Sequence, residues 1–286
     1  MLGRSAEPAC EDCMTRGDLT AVEETMKTPS DFGASAQAAP VEWDATTYDR
    51  IADPMTRWGG VVLDRLPLVG NECVLDAGCG SGRVTELLCQ RLPAGRVIAL
   101  DRSAAMVAEA RRRLAPFGEA VSVLRADLAT PLPLRRVDAV FSTATFHWIH
   151  DHEALFAHLA AVLRPGGRLV AQCGGAGNVA RVHAAAKAAG VDLDATHFAT
   201  PADTERRLKA AGFVDVRCWL QPEPTALEAG EPFETYLRTV CLRPHLEQLL
   251  PSEHQAFLRE VMQQLGEPVI DYVRLNIEGR RAAKPR

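Results

Sequence analysis

Apolar residues first recur with a helical period. Tyr48, Ile51, Met55, Trp58, Val62 and Leu66 fall at three- and four-residue steps, which predicts an amphipathic helix over 46–66. From Cys73 the pattern changes to short apolar runs, each followed by a turn and, in most cases, a helical stretch. Strands are expected at 73–75, 97–100, 121–124 and 139–142, and helices at 84–92, 104–114 and 152–163; a proline-rich loop follows the third strand. This alternation predicts a parallel sheet with right-handed crossovers. Arg164, Pro165, Gly166 and Gly167 carry turn chemistry into a fifth strand at 169–171. A helix over 201–211, stopped by Gly212, precedes a sixth strand at 213–220. Residues 232–265 read as two or three amphipathic helices, expected to form a lid inserted at about 230–266, before a last strand at 269–277. Residues 1 to about 40 have no sustained apolar period and are expected to be a disordered tail, leaving 41–286 as one domain.

Composition narrows the class of partner. A chain of 286 residues, 47% hydrophobic and 24% charged, can bury one sizeable core. A net charge of -5 gives no electrostatic reason to expect nucleic acid. Arg111, Arg112 and Arg113 lie on a predicted helix and read as its solvated face. No apolar stretch reaches the roughly 18 residues a membrane span requires, and the N-terminus has no signal-like apolar core. Glu7, Glu11, Asp12 and Asp18 oppose a transit peptide, so a cytoplasmic protein is expected. The eight cysteines read as free thiols. Cys10 and Cys13 lack a second ligand pair, and His147, His150 and His152 alternate in a loop without forming a tetrahedral set, so no metal site is expected.

The first strand ends in Asp76-Ala77-Gly78-Cys79-Gly80-Ser81-Gly82. In open parallel sheets the ligand lies beyond the carboxyl ends of the strands, where this turn would sit. Glycine lets main-chain groups come close to a ligand. The spacing is G-x-G-x-G, and Arg83 stands where a dinucleotide fingerprint has its third glycine. A carboxylate at Asp76 would repel a pyrophosphate and attract the ammonium and sulfonium of S-adenosylmethionine. Asp101 ends the second strand, where it can accept both ribose hydroxyls or cap the helix beginning near Ser103. Asp127 ends the third strand and can accept from an adenine amino group with Leu128 packed on the ring, or serve as a turn residue.

Val74 to Gly82, Ala99-Leu100-Asp101, Ala126-Asp127-Leu128 and Leu163-Arg164-Pro165-Gly166-Gly167 together resemble the successive motifs of class I S-adenosylmethionine-dependent methyltransferases. The resemblance implies an α/β, Rossmann-like, seven-stranded and mostly parallel sheet, with one antiparallel strand near its C-terminal end and helices on both faces. It also implies S-adenosylmethionine as cofactor, held by Asp76, Gly78, Cys79, Gly80, Gly82, Asp101, Arg102, Met106, Asp127, Leu128 and Thr143.

The fourth strand delivers Thr143 to Trp148 to the same edge of the sheet. His147 is the candidate base for a phenol, alcohol or ammonium acceptor, or else a residue that shapes the pocket; an already ionised acceptor needs no base. Trp43 to Tyr48, Phe146 to His152, and Leu242-Arg243-Pro244 are similar to the trans-aconitate methyltransferase group, whose members esterify a carboxylate. The likeness spans most of 43–277. It places Tyr48, His147, Trp148 and Arg243 at a small-molecule acceptor, with Arg243 either gripping an acid or exposed. Ala45 stands where that group tends to have proline, and His147 where it tends to have glutamine. Three readings therefore stand: carboxylate methylation, small-molecule O- or N-methylation with His147 as base, and a non-catalytic adenosylmethionine-binding protein. A nucleotide-dependent oxidoreductase is opposed by the glycine spacing and Asp76.

Overall fold

The computed structural model describes residues 53–134, 136–193 and 196–283. The expected tail, Cys10, Cys13, Tyr48 and residues 46–52 of the expected opening helix lie outside them. In chain order the elements are α1 (Asp53–Asp64), β1 (Cys73–Ala77), α2 (Arg83–Gln90), β2 (Arg96–Asp101), α3 (Ala104–Leu114), β3 (Val121–Arg125), β4 (Val137–Thr143), α4 (His152–Val162), β5 (Leu163–Gly174), α5 (Ala180–Ala188), α6 (Pro201–Ala210), β6 (Phe213–Ala226), α7 (Glu231–Tyr236), α8 (Arg243–Leu246), α9 (His254–Leu265) and β7 (Val269–Arg281).

The seven strands lie in the order β3-β2-β1-β4-β5-β7-β6. β1 to β5 pair with their neighbours in parallel, and β7 runs antiparallel to both β5 and β6. Alternation along the strands feeds two cores. Val74, Val97, Ala99 and Phe141 pack with Val62 and Leu63 of α1, Leu88 of α2 and Leu114 of α3. Leu75, Ile98, Val140 and Leu169 pack with Leu155, Phe156 and Leu159 of α4 and Leu208 of α6. A sheet buried on both faces explains why its strands read as continuous apolar runs. Helix starts are fixed locally: Ser103, Asp151 and Thr200 each accept the amide N–H three residues on, from Met106, Ala154 and Asp203.

A third core joins α5, α7 and α9 with Trp58, Ile270 and Tyr272. The helices inserted between β6 and β7 are thus packed on α5 and the start of β7. The alanine-rich α5 has no counterpart in the sequence reading, because alanine favours helix without marking a buried face. The turn chemistry at residues 164–167 is present inside β5 rather than ahead of it. Pairing with β4 jumps from Val137–Leu163 to Ala139–Arg168, and the intervening residues form the irregularity. Among the described residues, no helix is long and apolar enough to cross a membrane.

Candidate active site

Strand order reverses on either side of β1, and the carboxyl ends of β1 to β4 open there on one cavity. The glycine turn forms its floor. The N–H groups of Gly78 and Cys79 both donate to the Leu100 carbonyl, at 2.8 and 2.9 Å, which ties the turn to the end of β2. Gly78 has φ 87°, and a Cβ there would stand 2.1 Å from Oγ1 of Thr145. That hydroxyl donates to the carbonyls of Thr143 and Gly78, at 2.9 and 3.2 Å. Gly78→Ala therefore combines backbone strain with a clash. We expect about a tenfold or greater loss of cofactor affinity in calorimetric titration.

Gly78, Cys79 and Gly80 border the cavity, whereas Gly82 does not. Gly82 caps α2 at φ 84°, and its Cα position lets α2 approach Ala110 and Leu114 of α3, so its part is packing. Asp76 also lies off the cavity wall. It is 2% exposed beneath the turn, where Oδ2 accepts from the Thr85 hydroxyl at 2.7 Å. Burial lifts its carboxyl to about 7, with the Thr85 bond opposing and Asp101 adding to the rise. The folded state thus binds a proton that the unfolded state releases above about 4. The resulting stability is complete below the unfolded value and is lost as pH rises through 7. Asp76→Asn should melt higher than the parent at pH 8, by on the order of a few kcal/mol, with the difference vanishing toward pH 4.

Asp101, at the end of β2, is held by two backbone donors. Oδ1 accepts from Ser103 N–H at 2.9 Å and Oδ2 from Gly80 N–H at 3.0 Å, while the residue borders the cavity. Each oxygen keeps a second lone pair, so the carboxylate is held in place and still able to accept two hydroxyls. Burial raises its pKa, against which the backbone donors at Ser103 and Gly80 act. The helix cap is Ser103 itself. Asp127 closes a turn by accepting from Ala129 N–H at 2.9 Å and also borders the cavity, as do Arg102, Met106, Leu128 and Thr143. A carboxylate, an apolar wall and a glycine floor converging on one cavity form a donor set that fits the ribose and adenine of S-adenosylmethionine.

On the other side of β1, the end of β4 and the turn after it, the segment between β5 and α6, and β7 supply most of the rest of the cavity. His147 is 8% exposed in a single helical turn after β4, with Trp148 and Phe198 ring centroids at 5.0 and 5.9 Å. Its Nδ1 accepts from Gly174 N–H at 3.3 Å. Burial, the Arg274 charge and His152 push its pKa well below the usual value. The imidazole is therefore neutral, with its lone pair at Nδ1 engaged and its proton on Nε2. Such a ring donates a hydrogen bond and is a poor general base. Of the two readings of His147, this geometry favours the residue that shapes the pocket over the base.

Arg243 is not brought to the cavity. It sits at the start of α8 with Nε 3.3 Å from Glu247, one turn along. The cavity instead meets Arg274 of β7, which is 4% exposed. Asn178, Val179, His183, Phe198 and Tyr272 also border it and were not singled out in the sequence, and Val240 and Cys241 reach it from the inserted helices. Two wall residues carry backbone strain: Ala144 at φ 54° and Val179 at φ 48°. A β-branched residue in the left-handed region is unusual, and such strain concentrates at functional sites. Arg274 did carry a signal, since a charge stands in alternation with apolar residues in Val269 to Ile277.

Comparisons with known proteins agree with this architecture. The family described as "Methyltransferase domain" matches residues 74–167. Trans-aconitate 2-methyltransferase of Methylobacterium nodulans is 34% identical over 242 residues, covering 79% of this chain and 90% of that one. The Escherichia coli K12 enzyme of the same name is 30% identical over 253 residues, covering 84% and 98%. Among solved structures, a Haemonchus contortus phosphoethanolamine N-methyltransferase in complex with S-adenosylhomocysteine superposes with TM-score 0.54 at 18% identity, covering 84% of this chain and 57% of that one.

Proposed function

Because the chain belongs to the trans-aconitate 2-methyltransferase family of S-adenosylmethionine-dependent methyltransferases, we propose that it esterifies a carboxylate of a small acid. The observation that carries this reading is the acceptor side of the cavity, where a buried cation, Arg274, accompanies a neutral donor, His147. Both groups suit an anion. When bound, S-adenosylmethionine supplies an electrophilic methyl group on a sulfonium. The residues then have three tasks. Asp101 and the glycine turn hold the nucleoside side, Arg274 and His147 hold the acceptor, and the walls of Trp148, Phe198 and Tyr272 exclude water. A carboxylate is ionised at neutral pH and approaches with its lone pair available, so positioning can supply most of the acceleration. A phenol or ammonium acceptor would need a base, and His147 offers its proton-bearing nitrogen instead.

In this reading the inserted helices act as a lid through Val240 and Cys241, the acceptor is a free small molecule rather than nucleic acid or a membrane component, and the enzyme works in the cytoplasm. The test is incubation with methyl-labelled S-adenosylmethionine and a pool of small organic acids, trans-aconitate among them, followed by mild alkali. Release of labelled methanol is expected, because methyl esters hydrolyse. Label that stays in alkali-stable product would replace the reading with O-aryl, N- or C-methylation.

A further inference from the structure

A line of polar side chains, buried at its cavity end and half-buried at its far end, crosses three strands behind the cavity. Nε of Arg274 on β7 donates to Oε1 of Gln172 on β5 at 3.4 Å. Nε2 of Gln172 donates to Oδ1 of Asn276 at 2.8 Å, and Nδ2 of Asn276 donates to Oε1 of Gln221 on β6 at 3.3 Å. Nε2 of Gln221 then donates to Glu223. The register explains the contacts, since Gln172 pairs with Asn276 and Arg274 with Gln221 across the two antiparallel ladders.

The direction of the line is determined by its ends. A guanidinium only donates and a carboxylate only accepts, so each of the three amides between them has one orientation. All their dipoles run the same way, from the cation at the cavity to the anion on β6. Trp58 and Tyr272 add aromatic faces, with the guanidinium carbon 4.9 and 5.9 Å from their ring centroids. Arg274, Gln172 and Asn276 are 4%, 4% and 0% exposed. Stability alone does not account for them, because apolar side chains of similar volume commonly serve a buried position as well or better.

A bidentate guanidinium uses one lone pair on each carboxylate oxygen and leaves the other, so Arg274 can orient an acid without blocking its attack on a methyl carbon. We propose that Gln172, Asn276, Gln221 and Glu223 are positioning residues that fix the Arg274 guanidinium at the acceptor side of the cavity. The proposal rests on the reading of the protein as a carboxyl methyltransferase.

Calorimetric titration of the protein saturated with S-adenosylhomocysteine tests the anchor without turnover, using trans-aconitate. Arg274→Met should weaken trans-aconitate binding by about 100-fold while leaving S-adenosylhomocysteine affinity unchanged. The relay is tested with Gln172→Met and with Gln221→Met, which lies on β6 away from the cavity wall. Each should raise KM for trans-aconitate by roughly fivefold to twentyfold with kcat held within about twofold. Affinity within twofold of the parent in folded Arg274→Met removes the anchor, and unchanged KM in a folded relay variant removes the positioning role. If the parent methylates carboxylates and either of these results appears, this inference fails alone. If the parent does not bind trans-aconitate and produces no methyl ester from the acid pool, the functional reading fails with it.

Discussion

Asp101→Ala will weaken S-adenosylmethionine binding by about 1 to 3 kcal/mol, a five- to 150-fold rise in Kd, with little change in the overall fold. The carboxylate does two things at once. It accepts from Gly80 and Ser103 N–H groups, and it faces the cavity with its remaining lone pairs. Alanine loses the ribose acceptor and frees the turn. Asn is no rescue, because its amide N–H₂ would meet one of the two backbone N–H donors. Calorimetry with S-adenosylmethionine checks both substitutions, and affinity unchanged in Asp101→Ala would remove the residue from the cofactor site.

The second large effect separates a donor from a base at His147. His147→Leu should lower kcat/KM by about 10- to 100-fold, the value of a lost hydrogen bond to an anion. His147→Gln should recover most of that loss, because an amide N–H₂ can take the place of Nε2–H. The parent enzyme should show no rise of kcat/KM through the ordinary histidine range, since burial and Arg274 keep the ring neutral there. A base would behave oppositely in the substitutions: glutamine would be as damaging as leucine.

Much of this cavity was legible in the sequence because the half proposed to hold the cofactor is built from main-chain turns and strand ends. Gly78 and Gly80, Asp101, Asp127 and Leu128 follow directly from strand boundaries, and those boundaries follow from apolar runs and their turns. Gly82 and Asp76 belong to the same motif but act behind it, one in helix packing and the other beneath the turn. Spacing alone does not distinguish a residue at the wall from one a few ångströms deeper. The acceptor half was less legible for a different reason. Arg274, Asn178, His183 and Phe198 come from segments far apart in sequence, and antiparallel pairing of β7 with β5 is what brings Arg274 to the cavity. Arg243 stood in a motif-like context, yet α8 turns it toward Glu247. The engagement of Nδ1 of His147 depends on Gly174 N–H, 27 positions away, a contact that the β4–β5 geometry creates.

The most direct test of the central claim is a reaction with ¹³C-methyl S-adenosylmethionine and trans-aconitate, followed by carbon NMR of the isolated product. The account predicts a new methoxy signal of an ester, correlated with a single carboxyl carbon of the acid. A labelled methyl on nitrogen, on carbon or on an aromatic oxygen of a different acceptor, with trans-aconitate and other polycarboxylates recovered unlabelled, would contradict it.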